Sequence, residues 1–354
     1  MSESQLQFLD RPTDATPWNK RSSNFTSVIF FASIIPMLLF LVALNVSELS
    51  GAGALLTVFL PLQLLAAAIA AIVTRGRRGI ADSQLSVFVY FATFSVVILL
   101  GSILFSIANW GLKAVSPHFI YQNNVYITPT TSLDYGGAGH ALVGSLLVVG
   151  LATLIAVPLG LAVAVYLTET RGRLKGPVRF LAQSMSGLPS IVAGLFVYAV
   201  FIATGTANLS GWLGSLALAL LMIPTVIRMA EEVLKLVPGD LRSAALALGA
   251  PQRRAFFQVI MPTAKAGLIT AVLLGVARVV GETAPLILTT RLMSETSFNP
   301  FYGDLATLPT YIFSNLTAGF DTGRARAWAA AFLLLAVVGL IFGATRALTS
   351  QKTK

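Results

Sequence analysis

An all-α, polytopic membrane protein is the fold class the sequence predicts, and three observations predict it. Only 11% of the 354 residues are charged, against about a quarter in ordinary soluble domains. Hydrophobic residues make up 56% of the chain and the mean hydropathy is +0.81. The apolar residues are also gathered into runs of about 20, the length a helix needs to cross a hydrocarbon core of about 30 Å.

Taken in order, the first 26 residues, MSESQLQFLDRPTDATPWNKRSSNFT, are polar and carry Lys20 and Arg21 just ahead of a long apolar run. No short apolar core with a small-residue cleavage site follows, so an uncleaved first span with a cytoplasmic tail is expected. Apolar runs near 27–47, 53–73, 86–110, 140–167, 180–204, 211–227, 266–290 and 325–345 predict eight spans. With N- and C-termini cytoplasmic, nineteen of the 24 basic residues fall on the inside, where Lys and Arg are retained. These include Arg11, Lys20 and Arg21 in the tail, Arg75, Arg77 and Arg78 after the second span, Arg171 after the fourth, and Lys352 and Lys354 at the end. Lys113, Arg291, Arg324 and Arg326 fall outside and Arg278 within a span. Arg324 and Arg326, at the outer start of the last span, are expected to snorkel to the headgroups. Two outer loops are long, 111–139 and 291–322, and 228–265 is the long inner segment.

Composition excludes several chemistries. There is no cysteine, which removes disulfides, thiolate catalysis and Cys-based metal sites. His118 and His140 are the only histidines; lacking HExxH spacing, they read as interfacial residues near the outer end of a span. The net charge of +10 punctuates apolar runs, so it reports orientation rather than a nucleic-acid surface.

The inner segment RMAEEVLKLVPGDLRSAALALGAPQRRAFFQVIMPTAK parses into two short helices. Pro238 and Gly239 break the chain, Asp240 is a suitable N-cap, and Leu241, Ala244, Ala245 and Leu248 fall on one helical face. Gly249 can end that helix in the left-handed conformation, and Pro251 fits the first turn of the next helix. Two readings fit: a partner docking at the alanines, or an amphipathic hairpin lying on its own membrane domain.

Arg278 and Glu282 stand four residues apart inside the seventh run. A mid-span Arg costs about 2.5–3.5 kcal/mol on insertion scales, so it calls for an internal partner or a water-filled cavity. Glu282, one turn on, supplies the partner. A guanidinium matches an oxyanion bidentately, and Arg228, at the inner end of the sixth run, can bracket a path with Arg278. A packing ion pair accounts for the same residues. Pro189 interrupts the fifth run and reads equally as a path-lining bend or a packing kink.

SAALALGAPQRRAFFQVIMP resembles the EAA loop of ABC-importer permeases, whose pattern is Glu-Ala-Ala, three residues, Gly, nine residues, Ile, one residue, Leu-Pro. Ser243, Ala244, Ala245, Gly249, Val259, Met261 and Pro262 occupy those positions. Ser243 removes the carboxylate and any salt bridge it would make. ARVVGETAPLILT, GLPSIVAGLFVYAVF, PTVIRMAEEVLKLVP and ATLPTYIFSN narrow the resemblance to the PstA type of phosphate-transport permease, from about residue 86 to the C-terminus.

The resemblance implies a type I ABC-importer permease core of six helices over 86–354, with the EAA coupling loop in 228–265. Residues 1–85 add a tail and two N-terminal spans. It also implies phosphate import around Arg278, Glu282 and Arg228, with Pro189 as a pathway bend and Ser243, Ala244, Ala245, Gly249 and Pro262 at the ATPase contact. The expected partners are a homologous PstC-type permease, a PstB-type ATPase dimer and an extracytoplasmic PstS-type phosphate-binding protein. This chain has no GxxxxGK[ST] loop, so no cofactor is expected on it and ATP-Mg belongs to the partner ATPase. It is expected to be a transport subunit of the bacterial inner membrane rather than an enzyme. The alternatives are a permease for sulfate, molybdate or phosphonate, which shares the EAA loop, and a gradient-driven secondary transporter.

Overall fold

The computed structural model describes residues 23–46, 50–128, 130–170 and 172–350. Arg11, Lys20, Arg21, Arg171, Lys352 and Lys354 of the orientation argument lie outside the described residues. Within them seven helices are long and apolar enough to cross a membrane, and a bent pair makes up to eight. The chain forms two compact units, 1–103 and 104–354, divided inside a single helix.

In the first unit, α1 (Ser23–Val46) is followed by α2, which is assembled from Gly51–Ala54, a π-helical turn Leu55–Phe59, and Leu60–Arg75. The Gln63 amide donates to Ser33 Oγ at 2.7 Å, and Ser33 donates to the Ile29 carbonyl at 2.7 Å, which ties the two spans by a polar contact. Gly76, with φ +71, turns the chain out of α2 and into α3 (Gly79–Ala114).

The second unit is built around α8 (Gly211–Lys235), which extends the predicted sixth span by two turns. Leu218, Met222, Val226, Ala230 and Leu234 recur every fourth residue and are closed to solvent, forming one ridge. On α5 (Gly139–Glu169) the facing positions Gly144, Val148, Ala152, Ala156, Gly160 and Ala164 also recur every fourth residue and are buried. Small side chains let two helices approach closely where lipid offers no hydrophobic drive to pack them. A Cβ on Gly160 would stand 2.8 Å from Val226. α10 (Gln252–Val280) lies antiparallel to α8, with Gly275 against Met222 and Val226, and Gly267 against Val233.

Two predicted spans are broken, the fifth at Pro189, where an interruption was expected, and the seventh where a continuous run was expected. The run 180–204 divides into α6 (Lys175–Ser186) and Ser190–Ile202, bent by 105°; the second piece is α7 (Ser190–Val197) plus a π turn Tyr198–Ile202. Pro189 is the N-cap residue of α7: it lacks the N–H an α-helix requires and pushes the preceding residue out of the helical region. The run 266–290 ends as a helix at Val280, and α11 (Ala284–Thr289) begins after Gly281–Thr283, with Pro285 in its first turn. A Cβ on Gly194 would lie 2.5 Å from Pro285 Cα, so α7 and α11 cross at backbone contact.

At the end of the unit opposite the 236–251 loop, α4 (Pro117–Tyr121), α12 (Leu308–Thr317) and the start of α13 (Asp321–Ser350) gather the two long loops. The Asn124 N–H donates to the Ser294 carbonyl at 2.9 Å and joins one loop to the other. The expected snorkelling of Arg326 is not what the structure has. Its side chain is buried, 1% exposed, and donates to the carbonyls of Thr128, Thr131, Ser132 and Tyr135 at 3.0–3.3 Å. A folded loop supplies four acceptors that no headgroup has to provide. Arg324 does stay exposed, 3.3 Å from Asp321.

Candidate functional site

Arg278 stands in the last turn of α10. Beyond it the helix stops at Val280, the Glu282 N–H still donates to the Val279 carbonyl at 3.1 Å, and the Glu282 carboxylate folds back to accept from Arg278 Nη1. The Arg278 side chain is 47% exposed and that of Glu282 15%. The register of Gly275 and Gly267 on α8 sets Arg278 level with about residue 221 of α8, about 15 Å along a helix about 36 Å long. Arg278 is therefore close to mid-depth of the unit although it ends its own helix. Interrupted helices at that depth free backbone groups and occur where they line a cavity or are covered by protein.

The second break lies at the same level. α7 and α11 both run toward the end that holds Ser210 and Gly211, where the Ser210 N–H donates to Thr289 O at 3.1 Å. With Gly194 on Pro285, Pro189 and the Gly281–Thr283 segment fall, along the helix axes, within about one 5.4 Å turn of the same level. Arg228 is not part of this group. It is exposed on α8, makes no hydrogen bond or ion pair among the described residues, and by the same register sits about 10–11 Å nearer the 236–251 loop than Arg278.

That loop is shorter than the predicted 228–265, because 228–235 continue α8 and 252–265 already belong to α10. Its helix α9 is Gly239–Ala247 with Pro238 at the N-cap, so Asp240 sits in the first turn instead of capping it. Gly249 adopts φ +80, and its N–H and that of Ala250 close back on the carbonyls of Leu246 and Ala245 at 2.9 and 3.1 Å. The predicted apolar face is divided: Ala245 turns inward, whereas Leu241 is exposed and Leu248 is 89% exposed. Ser243, Ala244, Gly249 and Pro262 are open to the surroundings.

Two ion-pair groups beneath the loop escaped the sequence reading. Arg242 Nη2 donates to Glu169 Oε1 at 2.6 Å and Gln252 Nε2 donates to the Glu169 carbonyl at 2.7 Å. Arg179 of α6 and Lys235 of α8 meet Glu231 at 2.5 and 3.1 Å. Acids are scarce, 14 in the chain, and a Glu at the end of an apolar run beside basic residues is the only sequence signal for either group.

Near the opposite end, His140 is buried edge-on against Tyr311, with ring centroids 5.5 Å apart. It lies inside the protein, whereas an interfacial residue was expected. Burial pushes the Tyr311 phenol up to about 12. Among the described residues no group of three or more His, Asp or Glu is arranged to hold a metal ion.

The model of the family described as binding-protein-dependent transport system inner membrane component matches residues 156–353. The chain is 43% identical over 207 residues to phosphate transport system permease protein PstA 1 of Mycobacterium tuberculosis strain H37Rv, covering 58% of this chain and 67% of the relative. It is 36% identical over 267 residues to PstA of Pasteurella multocida, covering 75% of this chain and 93% of the relative. Among solved structures, an inward-facing MetNI methionine ABC transporter shares the fold at a TM-score of 0.50 and 20% identity, covering 60% of this chain and 94% of that one.

Proposed function

This chain belongs to the family of binding-protein-dependent transport system inner membrane components, and from that premise we propose that it is the membrane permease subunit of an ATP-driven inorganic phosphate importer. The observation that carries the reading is 36% identity sustained over 93% of a phosphate permease. It is a multi-pass protein of the bacterial inner membrane and a transport component rather than an enzyme. ATP is hydrolysed on a partner ATPase.

In this reading a PstS-type binding protein delivers phosphate to the loops at the Arg326 end, which faces outward. Both termini and the 236–251 loop face the cytoplasm. A PstB-type ATPase dimer seats the hairpin through the open residues Ser243, Ala244 and Gly249, with Pro262 of α10 beside them and Ala245 packed inward behind them, and a PstC-type permease completes the pair of membrane subunits. Phosphate passes the level of the two breaks. Arg278 offers a planar fork of donors to the oxyanion, and Glu282 neutralises it when the site is empty, which lowers the cost of a cation at mid-depth. Phosphate then competes with Glu282 for Arg278, and the carboxylate, once displaced, repels the anion onward. Pro189 holds the neighbouring break beside this station, and Arg228 is a second cationic stop toward the cytoplasm.

The test is phosphate uptake into proteoliposomes holding the complete complex, with wild type, Arg278→Lys and Glu282→Gln compared per assembled complex. Arg278→Lys, which keeps the charge and loses the fork, is expected to lower uptake by about 1.4–2.8 kcal/mol of lost interaction, or about 10–100-fold. Normal uptake in both variants would remove the pair from the pathway. Stronger competition by sulfate, molybdate or phosphonate than by phosphate would reassign the substrate.

A further inference from the structure

We infer that Glu169 is the positioning residue through which movement of the α9–α10 hairpin enters helix α5; the inference rests on the reading of that hairpin as the ATPase contact. Glu169 is the last residue of α5, and its side chain is only 8% exposed. It holds the hairpin twice, once on each side of the Gly249 turn: its carboxylate accepts from Arg242 of α9 at 2.6 Å, and its main-chain carbonyl accepts from Gln252 in the first turn of α10 at 2.7 Å.

The connectivity makes this contact matter. α8 and α10 are joined to the hairpin by the chain itself and follow it covalently. α5 is 73 residues from Arg242 in sequence and can follow only through non-covalent contacts. The apolar ones, Phe256 and Ile260 in a cluster with Ala164, Ala230 and Leu234, are non-directional and tolerate sliding. A charge-assisted hydrogen bond is short and directional, and a buried carboxylate left unpaired is strongly disfavoured.

α5 can carry a displacement a long way. Its 31 residues span about 46 Å, and its ridge of small residues is seated along α8. At its far end Ser145 Oγ accepts from the Leu308 N–H at 2.7 Å, and Gly144 is pressed on the Ala306 carbonyl. A pull on Glu169 therefore reaches the loop segment that opens α12. Among the hydrogen bonds and ion pairs of the described residues, only those of Glu169 join both limbs of the hairpin to a helix remote in sequence.

The experiment measures phosphate uptake and ATP hydrolysis in the same proteoliposomes, with the full complex and its binding protein, for wild type, Glu169→Gln, Arg242→Gln and the exchanged double variant Glu169→Arg with Arg242→Glu. Phosphate taken up per ATP hydrolysed is expected to fall about tenfold in each single variant, as breaking a buried pair predicts. The exchange is expected to bring it back to within about threefold of wild type, as restoring a coupled pair predicts. A purely structural role would lower the yield of complex and leave this ratio unchanged. An unchanged ratio in both single variants, or an exchange no better than either, overturns the inference. Should the Gln variants not assemble, Glu169→Asp and Arg242→Lys are measured for the same ratio, and wild-type coupling in both overturns it equally. Absence of ATP-driven uptake in the wild-type vesicles would instead refute the importer reading.

Discussion

Replacing Arg326 by Met keeps a long flexible side chain in the same buried slot and removes the guanidinium donors to the loop carbonyls of Thr128, Thr131, Ser132 and Tyr135; Thr128 and Ser132 keep main-chain donors, the N–H groups of Thr131 at 3.1 Å and Tyr135 at 3.3 Å. Hydrogen bonds to a charged group contribute about 1.5–3 kcal/mol each. The four share one guanidinium, however, and the released carbonyls can turn to water, so the terms do not add. We expect a net loss of about 1–3 kcal/mol, the cost of leaving a buried neutral acceptor unsatisfied. That loss falls on the loop rather than the whole fold, since the helices below keep their packing. It corresponds to roughly 5–150-fold faster hydrogen exchange at amides of residues 122–138. The assay is exchange mass spectrometry on the purified complex. Arg324→Met is the control: Arg324 is 57% exposed and its partner Asp321 98%, so that variant is expected to exchange like wild type. Exchange in Arg326→Met within about threefold of wild type, a difference under 1 kcal/mol, would refute the clamp.

Other outcomes follow from packing and burial. A Cβ at Gly144 would stand 1.9 Å from the Ala306 carbonyl oxygen; Gly144→Val must displace main chain, and the yield of assembled complex should collapse, whereas Gly150→Val, which meets nothing within 4 Å, should not alter it. Tyr311 is pushed up to about 12 by burial, while an exposed phenol titrates near 10. Between those values the unfolded chain releases a proton that the folded chain keeps, so this group's contribution is complete below pH 10 and lost as pH rises toward 12. Tyr311→Phe should accordingly flatten the alkaline limb of a melting-temperature profile and leave it unchanged from pH 6 to 9. An identical alkaline limb in the variant would show that the phenol is not the group responsible.

Much of the architecture could be read from run length alone, because a bilayer imposes one length on every helix that crosses it. Run length does not register interruptions, and for that reason 266–290 looked continuous, whereas Pro189 marked the interruption of 180–204 without fixing its sharpness. Their prolines and glycines were visible, but membrane helices tolerate both residues often, so the residues alone did not show that both helices stop where Gly194 meets Pro285. The Gly249 turn was legible because a left-handed position has few residue choices. The four-residue spacing of small residues in α5 was equally open to inspection as a packing ridge. Arg326 and Glu169 were not legible, since each draws its meaning from partners 73 to 198 positions away. At the candidate site, the Arg278–Glu282 pair follows from helical spacing, whereas the offset of Arg228 is a matter of interhelical register.

The crossing of Gly194 on Pro285 has a mechanical corollary. Helices separated by side chains can shear, each layer of rotamers absorbing part of the slip. Here main chain bears on main chain, and no such layer exists to absorb it. α7 and α11 are consequently expected to move as one lever about this contact. On the proposed reading of these breaks as part of the phosphate path, the two joints are expected to open and close together rather than one at a time.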